Sequence, residues 1–199
     1  YPGPAPGRPD LMPVKATGEK EIEIQRIARG LRLFLCDVDG VMTDGGIILD
    51  GADGEYKRFD VQDGMGFTLA RQAGLKVGII TGRNSGVVQR RAEELKFDEI
   101  CQGFFWKEEA LDQLLIHHEL QEEEVAYVGD DLLDLPVMRR VGLPIAVQNA
   151  RPEVKNFCLY TSRAPGGQGA VREIVEWLLD LRGQKQEVLD HFCKPGSSS

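Results

Sequence analysis

Residues 31–44, LRLFLCDVDGVMTD, constrain the fold more than any other part of this chain. They open on an apolar run, Leu33-Phe34-Leu35-Cys36, of strand length and without polar alternation, then break into Asp37, Asp39, Gly40 and Asp44. A run that is apolar at every position suits a strand buried on both faces, the environment of a parallel sheet covered by helices. Carboxylates just past such a strand stand where open α/β sheets gather their ligands. Asp37 and Asp39 are two apart, so on an extended backbone they project to the same side. Two like charges that close tolerate one another through a cation or a shared proton. Read alone, the stretch could be an acidic turn after a core strand; the rest of the chain argues for more.

The 199 residues suit one domain with a sizeable core. A formal charge of −8 and the lack of a basic stripe argue against a nucleic-acid surface, and no apolar run approaches membrane-spanning length. A small anionic substrate stays compatible with acidic balance, because a metal or a few cations can reverse the local field. Cys36, Cys101, Cys158 and Cys193 are scattered without a CxxC pair, which reads as reduced thiols of a cytoplasmic protein. His117, His118 and His191 read as structural or solvated. Residues 1–17 open on YPGPAPGRPDLMPV, too rich in Pro and Gly for regular structure, and read as a flexible arm without the apolar core of a signal peptide. A chain opening on Tyr1 rather than methionine is expected to have been altered at this end, by processing or by design. Residues 18–183 are then a single domain, and 184–199 a frayed helix and tail.

Within that domain the pattern is βαβ. A first helix is expected over 19–29 and the strand over 33–36. Next comes a β-hairpin from 47–49 and 56–61 around a Gly/Asp turn. Asp63 can cap a helix through 72, with Gly74 as its stop. Strands over 76–80, 99–102, 125–128 and 144–147 alternate with helices over 84–95, 107–120 and 134–141. A helical turn over 152–157, a weak strand over 158–160 and a final amphipathic helix after GGQG complete the order. Such alternation predicts a Rossmann-like parallel sheet with helices on both faces.

The chemistry falls at strand ends: Asp37 and Asp39, then Thr81, then a stretch leading to Lys107, then Asp130, Asp131 and Asp134. In a parallel sheet these ends share one edge and can converge. Five carboxylates, a hydroxyl and an ammonium fit a hard divalent cation bound by oxygen, for which magnesium is the natural choice. A phosphate completes the balance, with Lys107 and the Thr81 hydroxyl taking its free oxygens.

In order, DVDGVMTD, Thr81 after KVGII, Lys107 and GDDLLDLP resemble the four motifs of the haloacid dehalogenase superfamily of phosphohydrolases. DVDGVMTDG, FDVQDGMG, IITGR, VAYVGDDLLDLPVM and GGQGAVRE are similar, more narrowly, to members that dephosphorylate an eight-carbon keto-deoxy sugar acid of the lipopolysaccharide inner core. Gln62 and Gln168 depart from the arginines that this likeness leads one to expect. The resemblance implies Asp37 as nucleophile and Asp39 as general acid and base, with Thr81 and Lys107 holding the phosphoryl group. It implies Mg2+ on the Asp37 carboxylate, the Asp39 backbone carbonyl and Asp130, with Asp131 and Asp134 orienting metal-bound waters. Thr43, Lys57 and Arg83 are the candidates for substrate contacts, with Arg58 a further cation near a sugar carboxylate.

The gaps from Asp44 to Thr81 and from Thr81 to Lys107 are too short for a cap domain. The expectation is a capless fold whose hairpins, residues 45–60, close neighbouring sites between subunits, and the resemblance implies a homotetramer built this way. Competing readings are a phosphatase of a nine-carbon keto-deoxy sugar-acid phosphate, a phospho-accepting receiver-like domain, and a non-catalytic oligomerisation module.

Overall fold

The computed structural model describes residues 17–51 and 54–193; the arm expected over 1–17 lies outside them except for Thr17. In chain order the elements are α1 (Thr17–Gly30), β1 (Leu33–Cys36), β2 (Ile48–Leu49), β3 (Glu55–Tyr56), α2 (Val61–Gln72), β4 (Lys76–Thr81) and α3 (Gly86–Glu94). They continue as β5 (Glu99–Gln102), α4 (Lys107–His118), β6 (Val125–Gly129), α5 (Leu135–Met138), β7 (Leu143–Ala146), α6 (Pro152–Phe157), β8 (Tyr160–Thr161), α7 (Ala170–Arg182) and α8 (Lys185–Cys193).

Six strands form one sheet in the order β5-β4-β1-β6-β7-β8, every pairing parallel. This is the Rossmann-like α/β fold that the alternation predicts. β1, β6 and β7 are buried along their whole length, as their unbroken apolar sequences require. The chain winds outward from β1 through β4 to β5, then returns to β6 on the other flank. Right-handed crossovers put the helices of the two excursions on opposite faces. One layer is α1, α2 and α7 packed on one another; the other contains α4 and α5. Phe67 of α2 meets Phe34 of β1 edge-on, with ring centroids 6.0 Å apart. The reversal of winding opens a crevice past the carboxyl ends of β1 and β6, where such sheets bind ligands.

Two local expectations are corrected. Asp60, not Asp63, caps α2, its carboxylate accepting from Gln62 N at 2.6 Å. Asp63 is instead buried and accepts from Gly169 N at 3.3 Å and Arg172 N at 3.2 Å, tying α2 to the start of α7. In place of the frayed helix expected past Gly183, residues 185–193 form α8, which buries Val188 and whose Lys185 bonds Asp180 at 2.8 Å, while 194–199 of the expected tail lie outside the described residues. The hairpin is a separate two-stranded sheet, β2 against β3, with Ile47, Ile48, Leu49 and Tyr56 exposed.

Candidate active site

β1 delivers Asp37 into the crevice, and Asp37 N donates to Val128 O at 2.9 Å, so the adjacent strand fixes its backbone. The chain then turns sharply: Val38 O accepts from the amides of Val41, Met42 and Thr43. Gly40 has φ +95°, and a Cβ there would lie 2.1 Å from Asp130 Oδ2. Only glycine lets the loops after β1 and β6 approach this closely. Gly40 O accepts from Asn149 Nδ2 at 2.9 Å, while Asn149 Oδ1 accepts from Gly166 N at 2.6 Å. Gly167 N adds a bond to Val41 O at 2.9 Å. One carboxamide and the GGQG segment therefore clamp the loop that carries Asp37 and Asp39.

The floor of the site is a buried charge network. Lys107, the first residue of α4, lies 2.9 Å from Asp37 Oδ1 and donates to Asp134 Oδ1 at 2.6 Å. Tyr127 OH, inside β6, donates to the same Asp134 oxygen at 2.7 Å. Asp134 Oδ2 accepts from the amides of Asp130 at 2.9 Å and Asp131 at 3.1 Å. Burial alone would lower the Lys107 pKa, but Asp37 and Asp134 outweigh it and hold the ammonium above its ordinary value. Burial, with Asp134 adding and Lys107 opposing, raises Asp37 to about 6. Asp130 rises to about 8, through burial first and then the charges of Asp37 and Asp134.

Carboxylate oxygens of Asp37, Asp130 and Asp134 lie within 4.8 Å of one another, and Asp130 Oδ1 is buried without a hydrogen-bond partner among the described residues. A buried acceptor without a donor, beside a second carboxylate, fits a hard dication bound by oxygen.

The wall is built differently. The Asp39 carboxylate turns away from that cluster, to Lys57 Nζ on one oxygen and to Arg83 Nε at 3.6 Å on the other. Glu55 of β3 accepts from Arg83 at 3.1 Å and faces Lys57 at 3.9 Å. The neighbouring Ser85 hydroxyl, with Arg83 and Lys57 adding and burial opposing, holds Glu55 below its usual range. Beside them lies a cleft of about 700 Å³ lined by Leu49, Glu55, Arg83, Asn84 and Ser85.

Several sequence-based roles change with this geometry. Thr43 is buried, and its hydroxyl donates to Val38 O while accepting from Gly40 N and Gly45 N; it shapes the loop instead of meeting substrate. Both Asp134 oxygens accept from protein donors, so this carboxylate positions Lys107 and the turn after β6. Asp131 is exposed and caps the 3-10 turn Leu132–Asp134. Arg58 pairs with Asp44 at 3.0 Å. Thr81 ends β4 at the same sheet edge, buried, its hydroxyl accepting from Arg83 N at 3.5 Å. Sequence reasoning misses Tyr127, Asn149 and Glu55. Of these, Tyr127 carried a signal: a hydroxyl inside a fully apolar strand needs a partner.

Comparison with known proteins decides the family. Residues 98–174 match the family model described as haloacid dehalogenase-like hydrolase. The 3-deoxy-D-manno-octulosonate 8-phosphate phosphatase KdsC of Yersinia pestis is 44% identical over 156 residues, 78% of this chain and 83% of that one. The chain belongs to the haloacid dehalogenase-like hydrolases. The receiver-like reading falls with this membership. Among solved structures, the 3-deoxy-D-manno-octulosonate 8-phosphate phosphatase of Moraxella catarrhalis, in complex with a magnesium ion, a phosphate ion and a KDO molecule, superposes with a TM-score of 0.82. It is 39% identical, over 85% of this chain and 98% of that one. The cobalt-bound enzyme of Haemophilus influenzae gives a TM-score of 0.80 at 33% identity, over 84% and 99%.

Proposed function

We propose that this chain is a magnesium-dependent phosphatase that hydrolyses 3-deoxy-D-manno-octulosonate 8-phosphate to the free sugar acid and phosphate, a step toward the lipopolysaccharide inner core. The observation that carries the reading is the buried, partnerless Asp130 oxygen facing Asp37, whose other flank is held by Lys107. Asp37, Asp130 and the Asp39 backbone carbonyl would hold Mg2+, which when bound offsets the negative charge between nucleophile and phosphate.

Asp37 attacks phosphorus in line; the bond from phosphorus to the sugar oxygen breaks, and an aspartyl-phosphate forms. Asp39 gives its proton to the departing oxygen, then takes one from the water that cleaves the aspartyl-phosphate. Lys107, fixed by Asp134 and Tyr127, and the Thr81 hydroxyl hold the transferring oxygens, as positioning and electrostatics supply most of such catalysis. Lys57 and Arg83 neutralise Asp39 and face the sugar acid.

Around the site, the exposed Ile48, Leu49 and Tyr56 of the hairpin and the exposed Phe105, Trp106, Leu132 and Leu133 form an apolar rim. In our reading the hairpins of neighbouring copies cover this rim in a homotetramer and exclude water from the phosphoenzyme. Among the described residues no helix is long and apolar enough to cross a membrane, consistent with a cytoplasmic enzyme.

Phosphate release should be measured over a set of sugar phosphates with and without Mg2+. The expected result is metal-dependent turnover highest on the eight-carbon sugar acid; preference for a nine-carbon acid moves the assignment to that substrate. A chain that runs in light scattering as a 22.1 kDa monomer at working concentration defeats the assembly.

A further inference from the structure

We propose that Glu99, His117 and His118 form a second metal site, separate from the carboxylate centre, that takes a zinc-class dication. The two centres sit at opposite ends of α4: Lys107 opens the helix in the catalytic floor, and the histidines close it about 16 Å further along its axis. Glu99 begins β5, the edge strand, at the sheet's amino-terminal side, away from the catalytic crevice.

Adjacent residues on a helix do not face one another. Here, nonetheless, both imidazoles address one atom: Glu99 Oε1 lies 2.7 Å from His118 Nε2 and 3.8 Å from His117 Nε2. The rings are 4.6 Å apart between centroids and inclined at 72°. Those separations bracket the roughly 3.3 Å between ligand atoms of a tetrahedron with bonds of about 2.0–2.1 Å. One ε nitrogen would close in and one would draw back, each by about half an ångström.

Two imidazoles and a carboxylate suit zinc and its neighbours rather than magnesium or calcium, which prefer oxygen alone. His118 and Glu99 have side chains only 8% and 19% exposed, while His117 is 70% exposed and gives a fourth ligand or water an open side. The last turn of a helix also favours a cation, since the unpaired carbonyls point there. A bound ion would pin the start of the edge strand to the end of α4.

The full-length protein, stripped by a chelator and then saturated with millimolar Mg2+ to occupy the carboxylate centre, should be titrated with zinc chloride. One zinc ion per chain is expected, with a melting temperature raised by about 5–10 °C at a hundredfold excess over Kd. His117→Ala, at an exposed position, keeps the fold and phosphate turnover but weakens zinc about tenfold or more. Glu99→Gln keeps a hydrogen bond to His118 yet loses the zinc-induced shift. No zinc response in the wild type, or an undiminished response in both variants, overturns the site and leaves His118 and Glu99 as a hydrogen-bonded pair.

Discussion

The floor and the wall of the active site hold their charges by different means. Asp37, Lys107, Tyr127 and Asp134 sit on or directly after sheet strands, or at the start of a helix, all largely buried, and each is fixed by at least one further protein contact. Asp39, Glu55, Lys57 and Arg83 are held by long side chains crossing from a two-strand hairpin to a loop, with Arg83 44% exposed. The floor is preorganised by the sheet itself. The wall depends on where the hairpin lies, and Ile48, Leu49 and Tyr56 of that hairpin are exposed among the described residues. In the function proposed, chemistry common to the family falls on the first and selection of substrate on the second.

The largest effect should come from the floor. Asp37→Asn removes the proposed nucleophile, and turnover should fall by about 10⁴-fold or more. Lys107 keeps Asp134 as its partner, so melting temperature and circular dichroism should stay near wild type. Near-normal phosphate release from this variant would remove the nucleophile assignment and the division between floor and wall with it.

A wall variant should behave otherwise. Lys57→Ala leaves Asp39 with Arg83 alone, so we expect a loss of about 10–100-fold that includes a raised KM and a shifted pH profile of kcat/KM. A drop in kcat alone, with KM and pH profile untouched, would place Lys57 functionally in the floor.

Asn149 lies between the two regions. Its carboxamide holds Gly40 O on one side and Gly166 N on the other, across a sequence separation of 109 residues to Gly40. Asn149→Ala should lower kcat about tenfold with KM little changed, because the loop carrying Asp37 and Asp39 loosens while the sugar contacts remain. Asn149→Asp keeps the acceptor for Gly166 but puts a negative charge against Gly40 O, so it should not restore the rate. A variant with wild-type kcat would show that the glycine segment clamps the loop unaided.

The sheet, its order of helices and the convergence of Asp37, Lys107 and Asp130 were legible in the sequence, because unbroken apolar runs and strand-end carboxylates report on local physics. What sequence reasoning missed depends on distant partners. Nothing near Asn149 announces that it bonds Gly40, and nothing in Asp134 tells that its four acceptor directions are taken by Lys107, Tyr127 and two amides. Thr43 followed the same rule: a hydroxyl near a catalytic motif looks available until the loop folds back on it. Capping was misread for a related reason. Asp60 and Asp63 are both acceptable caps by residue type, and only the packing of α2 on α7 separates them.

That packing gives the smallest and most local prediction. Asp63 is buried and accepts amide hydrogens from Gly169 and Arg172, yet burial outweighs those bonds and raises it from 3.8 to about 6. The folded chain therefore keeps a proton on Asp63 up to about pH 6, whereas the unfolded chain loses it near 3.8. Between those values the folded state binds more protons, so this residue's contribution to stability falls as pH rises through the window. The full loss amounts to at most about 3 kcal/mol. Asp63→Asn cannot titrate, and the difference between wild type and variant in urea unfolding should shift in the variant's favour from pH 4 to pH 7. Since Asp63 also anchors the start of α7 beside the glycine segment, turnover of the variant should change less than that of Asn149→Ala. A difference that is flat with pH would mean that the amides of α7 stabilise the carboxylate as much as its burial opposes it, and a reversed slope that they outweigh it.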